Sequence, residues 1–183
     1  GSITAAGLAT GRSAREIRRL FEQNLKSIFP RSGLALLAHG ATSRGPLFEL
    51  HKLNEVLSKE FQNERLSDAS TKLLINSTNL ERFEPRTFSN MNEAHGSRLR
   101  LADVVSASCA APIFFAPHRI EEYDQHFIDG GLWANNPVLV AIEYAIQNLG
   151  IPRQLIRVLS LGTGEAAPGA TLDEIRNGRQ VGV

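Results

Sequence analysis

The chain holds a single cysteine, Cys109, so no disulfide can form within it, and a reducing compartment is compatible with that count. Its plainest role is that of a small buried apolar residue. No uninterrupted apolar run approaches the roughly 20 residues that a membrane-spanning helix needs, and the first residues lack the charged-then-apolar layout of a signal peptide. An excess of one charge is also missing. Against 19 acidic residues stand 20 basic ones, which leaves no global case for nucleic acid, whose binding relies on concentrated positive charge. Nucleic acid is therefore not an expected partner. The five histidines, His39, His51, His95, His118 and His126, show no ligand spacing, and neither a metal nor another cofactor is expected. Repeats, low-complexity tracts and interdomain linkers are lacking too, so residues 1–183 read as one domain, or most of one.

What is present has the composition of an ordinary soluble globular protein, 42% hydrophobic and 21% charged. Residues 3–9 are small and apolar, suited to a helix lying close against a sheet. Ser13-Ala14-Arg15-Glu16 reads as a capping box, after which Ile17, Leu20, Phe21, Leu25 and Ile28 recur at helical spacing. Arg15, Arg18, Arg19 and Lys26 fall largely on the other face. That face is either solvated, with Glu22 placed for i,i+4 contacts, or open to anionic lipid heads. Residues 34–38 form a short apolar run among Gly33, Gly40 and Gly45, compatible with a loop or a small strand. Leu47, Leu50, Leu53, Leu57 and Phe61 predict a second amphipathic helix, with Pro46 suited to its first turn.

Residues 72–78 predict a buried strand, with Thr87-Phe88 beside it, and the polar residues 90–98, containing Gly96, a surface loop. A short helix over 101–107 must end before Pro112, which biases its predecessor away from helix. Phe114 and Phe115 then read as core aromatics. Further on, Asn136 caps a helix with Pro137 at its first position, Val138, Ala141, Ile142 and Ala145 form its apolar stripe, and Gly150 ends it. A strand over 156–161 and a partial helix from Leu172 close the chain. Strands alternating with helices predict a parallel or mixed sheet covered on both faces, with ligands near the carboxyl ends of the strands.

Asp129 lies at such an end, after Phe127-Ile128 and before Gly130-Gly131. The glycines permit positive φ or close backbone approach, so a reacting group can come near the carboxylate. An isolated Asp-Gly is otherwise a turn signal. Gly162-Thr163-Gly164-Glu165 lies at a second strand end, but as a phosphate-binding turn it is a weak signal, and tight packing explains it as well.

The stretch from Phe127 to Pro137, with Leu132-Trp133-Ala134-Asn135-Asn136 inside it, resembles the Asp-Gly-Gly block of the patatin-like phospholipases, serine lipid acyl hydrolases that work with a Ser-Asp dyad. The segment Ser106-Ala107-Ser108-Cys109-Ala110-Ala111-Pro112 is similar to the family's Ser-Ala-Ala-Pro segment. Leu159-Ser160-Leu161-Gly162-Thr163-Gly164 resembles its Leu-Ser-Leu-Gly-Thr-Gly strand end. The opening residues 1–11 look like the helix after the Gly-x-Ser-x-Gly elbow, with Gly1 matching the elbow's last glycine. The resemblance spans nearly all the chain and is weakest over 35–63.

That resemblance implies a three-layer α/β/α fold with a mainly parallel central sheet, incomplete at its amino-terminal end. It implies a phospholipase A-type activity on carboxylic esters of membrane lipids, with Asp129 as general base and Gly130 and Gly131 as supporting motif. The nucleophilic serine would lie two positions before Gly1, and the oxyanion loop earlier still. Ser2 is no substitute by pattern, since no glycine follows two residues on and it would fall inside the helix. A free aspartate titrates near 3.9, about three units below neutral, so the site must bury it or hold the serine in direct reach. The missing strands would be central to the sheet, and unpaired edges and apolar faces are expected without them. The expected partners are lipid or phospholipid, with transient contact at a membrane surface and a cytoplasmic location; Phe114 and Phe115 would then also suit an acyl-chain channel. Two alternatives stand beside this reading: a patatin-like lipid-binding or interaction domain without a nucleophile, and a phosphate-ligand module using the Gly162 turn.

Overall fold

The computed structural model describes residues 1–29, 45–91 and 98–162. The expected elements at 34–38 and from Leu172, most of the loop at 90–98, His39, His95 and Thr163-Gly164 lie outside the described residues.

Helix α1 (Ser2–Ala9) buries Ala6, Gly7 and Ala9, as its run of small residues requires. Helix α2 (Ala14–Ile28) opens with the predicted capping box: the Ser13 hydroxyl accepts from the Glu16 N–H at 3.3 Å, and the Ser13 N–H donates to Glu16 Oε2 at 2.7 Å. Helix α3 (Leu50–Phe61) buries Leu53, Leu57 and Phe61, a single stripe at four-residue spacing. It starts later than the pattern suggests. The Leu47 and Phe48 N–H groups are drawn instead to the carbonyls of Ile113 and Phe114, at 2.9 and 2.8 Å, so Pro46 is not in the first turn. Tertiary pairing wins there over helical periodicity.

Arg12 ties the start of α2 to the end of α3. Its guanidinium donates to Glu60 Oε1 at 2.6 Å, Glu64 Oε2 at 2.9 Å, the Glu60 carbonyl and the Thr10 hydroxyl. It also lies 4.7 Å above the Phe61 ring. The two carboxylates hold the guanidinium in its charged form against the cost of burial, and a cation at a helix carboxyl end also suits the macrodipole. Helix α4 (Leu101–Cys109) is the centre of the core, with Leu101, Ala102, Val104, Val105, Ser106 and Ala107 all buried. It is apolar on nearly every side because α1 and α3 pack on one side of it and the sheet on the other.

The sheet contains β1 (Leu74–Asn79), β2 (Glu84–Ser89), β3 (His118–Ile120) and β4 (Gln125–Asp129), in the order β2-β1-β4-β3. All three neighbouring pairs are antiparallel, which corrects the mainly parallel sheet expected from the sequence. For β1–β2 and β3–β4 the physical reason is connection length. Residues 80–83 join β1 to β2 and residues 121–124 join β3 to β4, and turns this short cannot return a chain to a parallel neighbour. The α/β class stands, and Thr87 and Phe88 do pair beside β1, opposite Asn76 and Ile75. Ile75, Ser77 and Asn79 point to the α4 side and are buried, while Leu74, Asn76 and Thr78 alternate to the other face.

That second face is covered in part by α6 (Val138–Gln147), which follows the single turn α5 (Gly131–Ala134). The cap is Pro137 and not Asn136 with Pro137 as first helical residue, since the Pro137 carbonyl accepts the first helical bond from Ala141; the Asn136 side chain still accepts from the Val138 N–H at 3.1 Å, and the chain beyond the helix turns at Gly150 with φ +64. The predicted stripe Val138, Ala141, Ile142 and Ala145 does not enter a closed core. It lines an open apolar groove of about 440 Å³ with Leu74, Asn76 and residues 156–161. The strand expected at 156–161 is absent: the segment makes no ladder with the described strands, and Val158, Leu159 and Leu161 are exposed. An extended chain without a neighbour has nothing to pair with.

Because one guanidinium joins three elements, Arg12→Met should lower the free energy of unfolding by about 2 kcal/mol, with Arg12→Lys recovering less than half of it. Urea denaturation of the three proteins measures both.

Candidate active site

Asp129 ends β4, and its position is set by bonds from several directions. In the register it stands opposite Ser77, and so on the α4 face together with Phe127 two residues earlier. Its N–H donates to the Ala110 carbonyl at 3.0 Å, which joins the end of β4 to the chain leaving α4. Its own carbonyl accepts from the Thr78 hydroxyl at 3.1 Å. Alongside, the Ser77 hydroxyl donates to the Ile128 carbonyl at 2.7 Å and the Trp133 indole N–H donates to the Ser77 carbonyl at 2.9 Å. These polar residues of an otherwise buried strand are the positioning groups that sequence reasoning did not single out. The signal for them was Ser77-Thr78 itself, two hydroxyls where an apolar strand needs none.

The side chain of Asp129 is half-buried. The Gly131 N–H donates to Oδ1 at 2.6 Å, fixing the rotamer, and Oδ2 carries no protein partner among the described residues. The glycines serve close approach and not positive φ. Gly130 sits at φ −71, but a β-carbon there would overlap the backbone carbonyl of Asn76 and lie 2.8 Å from Asn76 Cβ. At Gly131 a β-carbon would stand 3.1 Å from Asp129 Oδ1, crowding the carboxylate. Gly1 precedes the first turn of α1, with open space where its side chain would be.

The amino end of α1 faces the same region. The Ser2 hydroxyl lies 3.2 Å from Cys109 Sγ. Burial pushes the Cys109 thiol up from its ordinary range; Asp129 adds to that shift, while the hydrogen bond with Ser2 opposes it. Cys109 therefore stays a thiol at neutral pH and is not an activated nucleophile. Ser2 is the first residue of α1, as its pattern implied, and its hydroxyl bonds Cys109 and not Asp129.

Among the described residues no histidine joins the carboxylate. His126 is three residues before Asp129 on the same strand and so on its opposite face. There its Nδ1 lies 2.8 Å from Glu81 Oε1, and its N–H donates to both oxygens of that carboxylate. These hydrogen bonds hold the Glu81 carboxyl below its ordinary range. His118 is buried against Asp103 Oδ1 at 3.3 Å, and His51 lies on the surface near Glu49. Of the two aromatics predicted as core, Phe115 is buried and Phe114 is exposed, stacked on Phe48. Trp133 is partly exposed as well.

A family model described as patatin-like phospholipase matches residues 1–142, a stretch that includes the amino end of α1, Cys109 and the whole Asp129 turn. The chain belongs to the patatin-like phospholipases. It is 31% identical over 177 residues to a cGAMP-activated phospholipase of Vibrio cholerae, a match covering 89% of this chain and 50% of that protein. A cGAMP-activated phospholipase of Escherichia coli is 31% identical over 172 residues, covering 89% of this chain and 48% of the relative. Patatin-like protein 1 of Arabidopsis thaliana is 30% identical over 183 residues, covering 85% and 44%. The patatin-like chain thus spans about half the length of the curated relatives it matches.

Since a β-carbon at Gly130 would meet backbone and not a yielding side chain, Gly130→Ala should lower stability by about 2 kcal/mol or more. Thermal denaturation followed by circular dichroism reads the loss.

Proposed function

We propose that this chain carries the general base and helix of a lipid acyl hydrolase of phospholipase A type, which cleaves carboxylic esters of membrane lipids through a Ser-Asp dyad. Asp129 is the base, and the serine is supplied two positions ahead of Gly1, on the turn that leads into α1. The observation that carries this reading is the placement of Asp129, fixed by Gly131 with Oδ2 left open, on the face of the sheet that meets α4, whose last residue, Cys109, contacts Ser2 at the amino end of α1.

The chemistry follows from that placement. Asp129 Oδ2 accepts the serine proton as the hydroxyl oxygen attacks the ester carbonyl, and the proton passes to the departing alcohol. Water then attacks the acyl-serine, losing its proton to the same carboxylate, which passes it to the serine oxygen as the ester C–O bond breaks and the fatty acid leaves. Direct hydrogen bonding between hydroxyl and carboxylate substitutes for the histidine of a triad. The first N–H groups of α1 have no side-chain cap, and such groups favour negative charge near a helix amino end. The open apolar groove beside β1 and residues 156–161 supports a sheet with further strands in the complete fold. A cytoplasmic location with peripheral membrane contact suits such an enzyme.

The Vibrio and Escherichia relatives have activation by cGAMP in their names. We extend to this chain the phospholipase activity and not the trigger, because about half of each relative lies outside the match.

In a polypeptide that includes the residues ahead of Gly1, Asp129→Asn should lower phospholipid ester hydrolysis by about 10³-fold while the circular dichroism spectrum and melting temperature stay unchanged. Near-normal turnover by the folded variant contradicts the assignment and favours a lipid-binding domain without a dyad.

A further inference from the structure

Three arginines share one exposed face of the chain. Arg65 and Arg100 stand opposite each other in an isolated antiparallel bridge. The Leu66 N–H donates to the Leu99 carbonyl and the Leu101 N–H to the Glu64 carbonyl, both at 2.9 Å. The two arginines are therefore the non-hydrogen-bonded pair of the bridge, where opposed Cα atoms stand about 4.5 Å apart and side chains are closest. Both have extended backbone, with φ −107 and ψ 163 at Arg65 and φ −63 and ψ 132 at Arg100. Alternation then decides the faces. Leu66 and Leu99 are buried, and Arg65, Arg98 and Arg100 are all exposed.

Like charges directly opposite in an antiparallel pair are destabilising. Among the described residues no carboxylate pairs with any of the three guanidinium groups. The acids on the same segments are spent elsewhere: Glu64 Oε2 on Arg12, Asp68 Oδ2 on the Arg65 main-chain N–H at 2.8 Å, and Asp103 beside His118. Arg65 reaches the Arg98 carbonyl, and Arg100 reaches the Gln62 carbonyl at 3.4 Å. The two forks thus lean toward opposite ends of the bridge, each against a neutral acceptor and with most of its N–H donors unspent.

We propose that Arg65, Arg98 and Arg100 form a binding site for the diphosphate group of a soluble ligand, an anion that draws the three forks together and offsets their mutual repulsion. Guanidinium forks match phosphate oxygens two at a time. Arg98 and Arg100 lie two residues apart, roughly 6.5 Å on extended chain, a span that suits two linked phosphates better than one carboxylate. Arg100 is also the N-cap of α4, and the amino end of a helix favours negative charge. The other end of that helix leads to Asp129 through the Ala110 carbonyl, roughly 13 Å away along the axis. The site is separate from the candidate active site and does not depend on the dyad.

The test takes the polypeptide that includes the residues ahead of Gly1 and titrates it with inorganic pyrophosphate in a calorimeter at about 50 mM salt, where screening is weak. One site is expected. Arg65→Gln, Arg98→Gln and Arg100→Gln should each weaken it by about tenfold, and Arg100→Lys, which keeps the charge and loses the fork, by about threefold or more. Arg15→Gln removes the same charge from the exposed face of α2 and should bind as the unaltered polypeptide does. Asp129→Asn should bind normally too, so a failed dyad and a failed anion site give different results. Without ligand, Arg65→Gln and Arg100→Gln should melt no lower than the unaltered polypeptide, because each relieves the opposed pair. Pyrophosphate should raise the melting temperature of the unaltered polypeptide and leave that of the variant carrying both substitutions where it was. No binding at about 1 mM pyrophosphate, an equal loss in Arg15→Gln, or undiminished binding by the variant with both substitutions overturns the proposal. So does retention on phosphatidic acid vesicles that pyrophosphate does not compete away, which would assign the face to a lipid headgroup.

Discussion

Ser77 faces Asp129 across the antiparallel pair of β1 and β4, and this seam is tied from several sides. The Ser77 hydroxyl holds the Ile128 carbonyl, its own carbonyl takes the Trp133 indole N–H, and Thr78 holds the carbonyl of Asp129. Gly130 then passes so close to Asn76 that no side chain fits between them. Position at the end of β4 is therefore fixed by backbone contact, with few torsions left to vary. Both the carboxylate and the segments that follow α4 and β4 inherit their placement from this seam, because the Ala110 carbonyl and the Gly131 N–H each bond directly to Asp129.

The chemistry available there is defined by what strand geometry keeps apart. Alternation along β4 sends His126 to the opposite face, where Glu81 engages it, and no imidazole of the described residues meets the carboxylate. Cys109 comes close to Ser2 and feels Asp129, but burial keeps it a neutral thiol. What remains is a carboxylate with one oxygen fixed and one open, near the start of a helix. That arrangement suits direct proton transfer from a hydroxyl and leaves little else for the carboxylate to do.

The helices and the site were legible in the sequence to different degrees than the sheet. Ser13 and Glu16 announce the start of α2 because a capping box is a local device, and the start of α6 was legible to within one residue, its cap being Pro137 and not Asn136. The direction of the strands was not local. Period-two patterning shows that residues 74–79 and 84–89 are strands, but only the short turns between them dictate antiparallel pairing, and the alternation with helices elsewhere suggested the reverse. Leu47 and Phe48 read as helix because their apolar spacing fits, and the contact that overrides it comes from residues more than sixty positions away. Asp129 stood out through its glycines, yet the reason for Gly130 lies across the sheet in Asn76 and is invisible along the chain.

The central claim is that Asp129 activates a serine presented at the amino end of α1. It is tested most directly by reacting a polypeptide that includes the residues ahead of Gly1 with a fluorophosphonate and locating the adduct by peptide mass spectrometry. The account predicts one adduct, on the serine two positions before Gly1, formed at least about 10²-fold more slowly when Asp129 is replaced by asparagine. An adduct on Ser2, or labelling whose rate does not depend on Asp129, would contradict it.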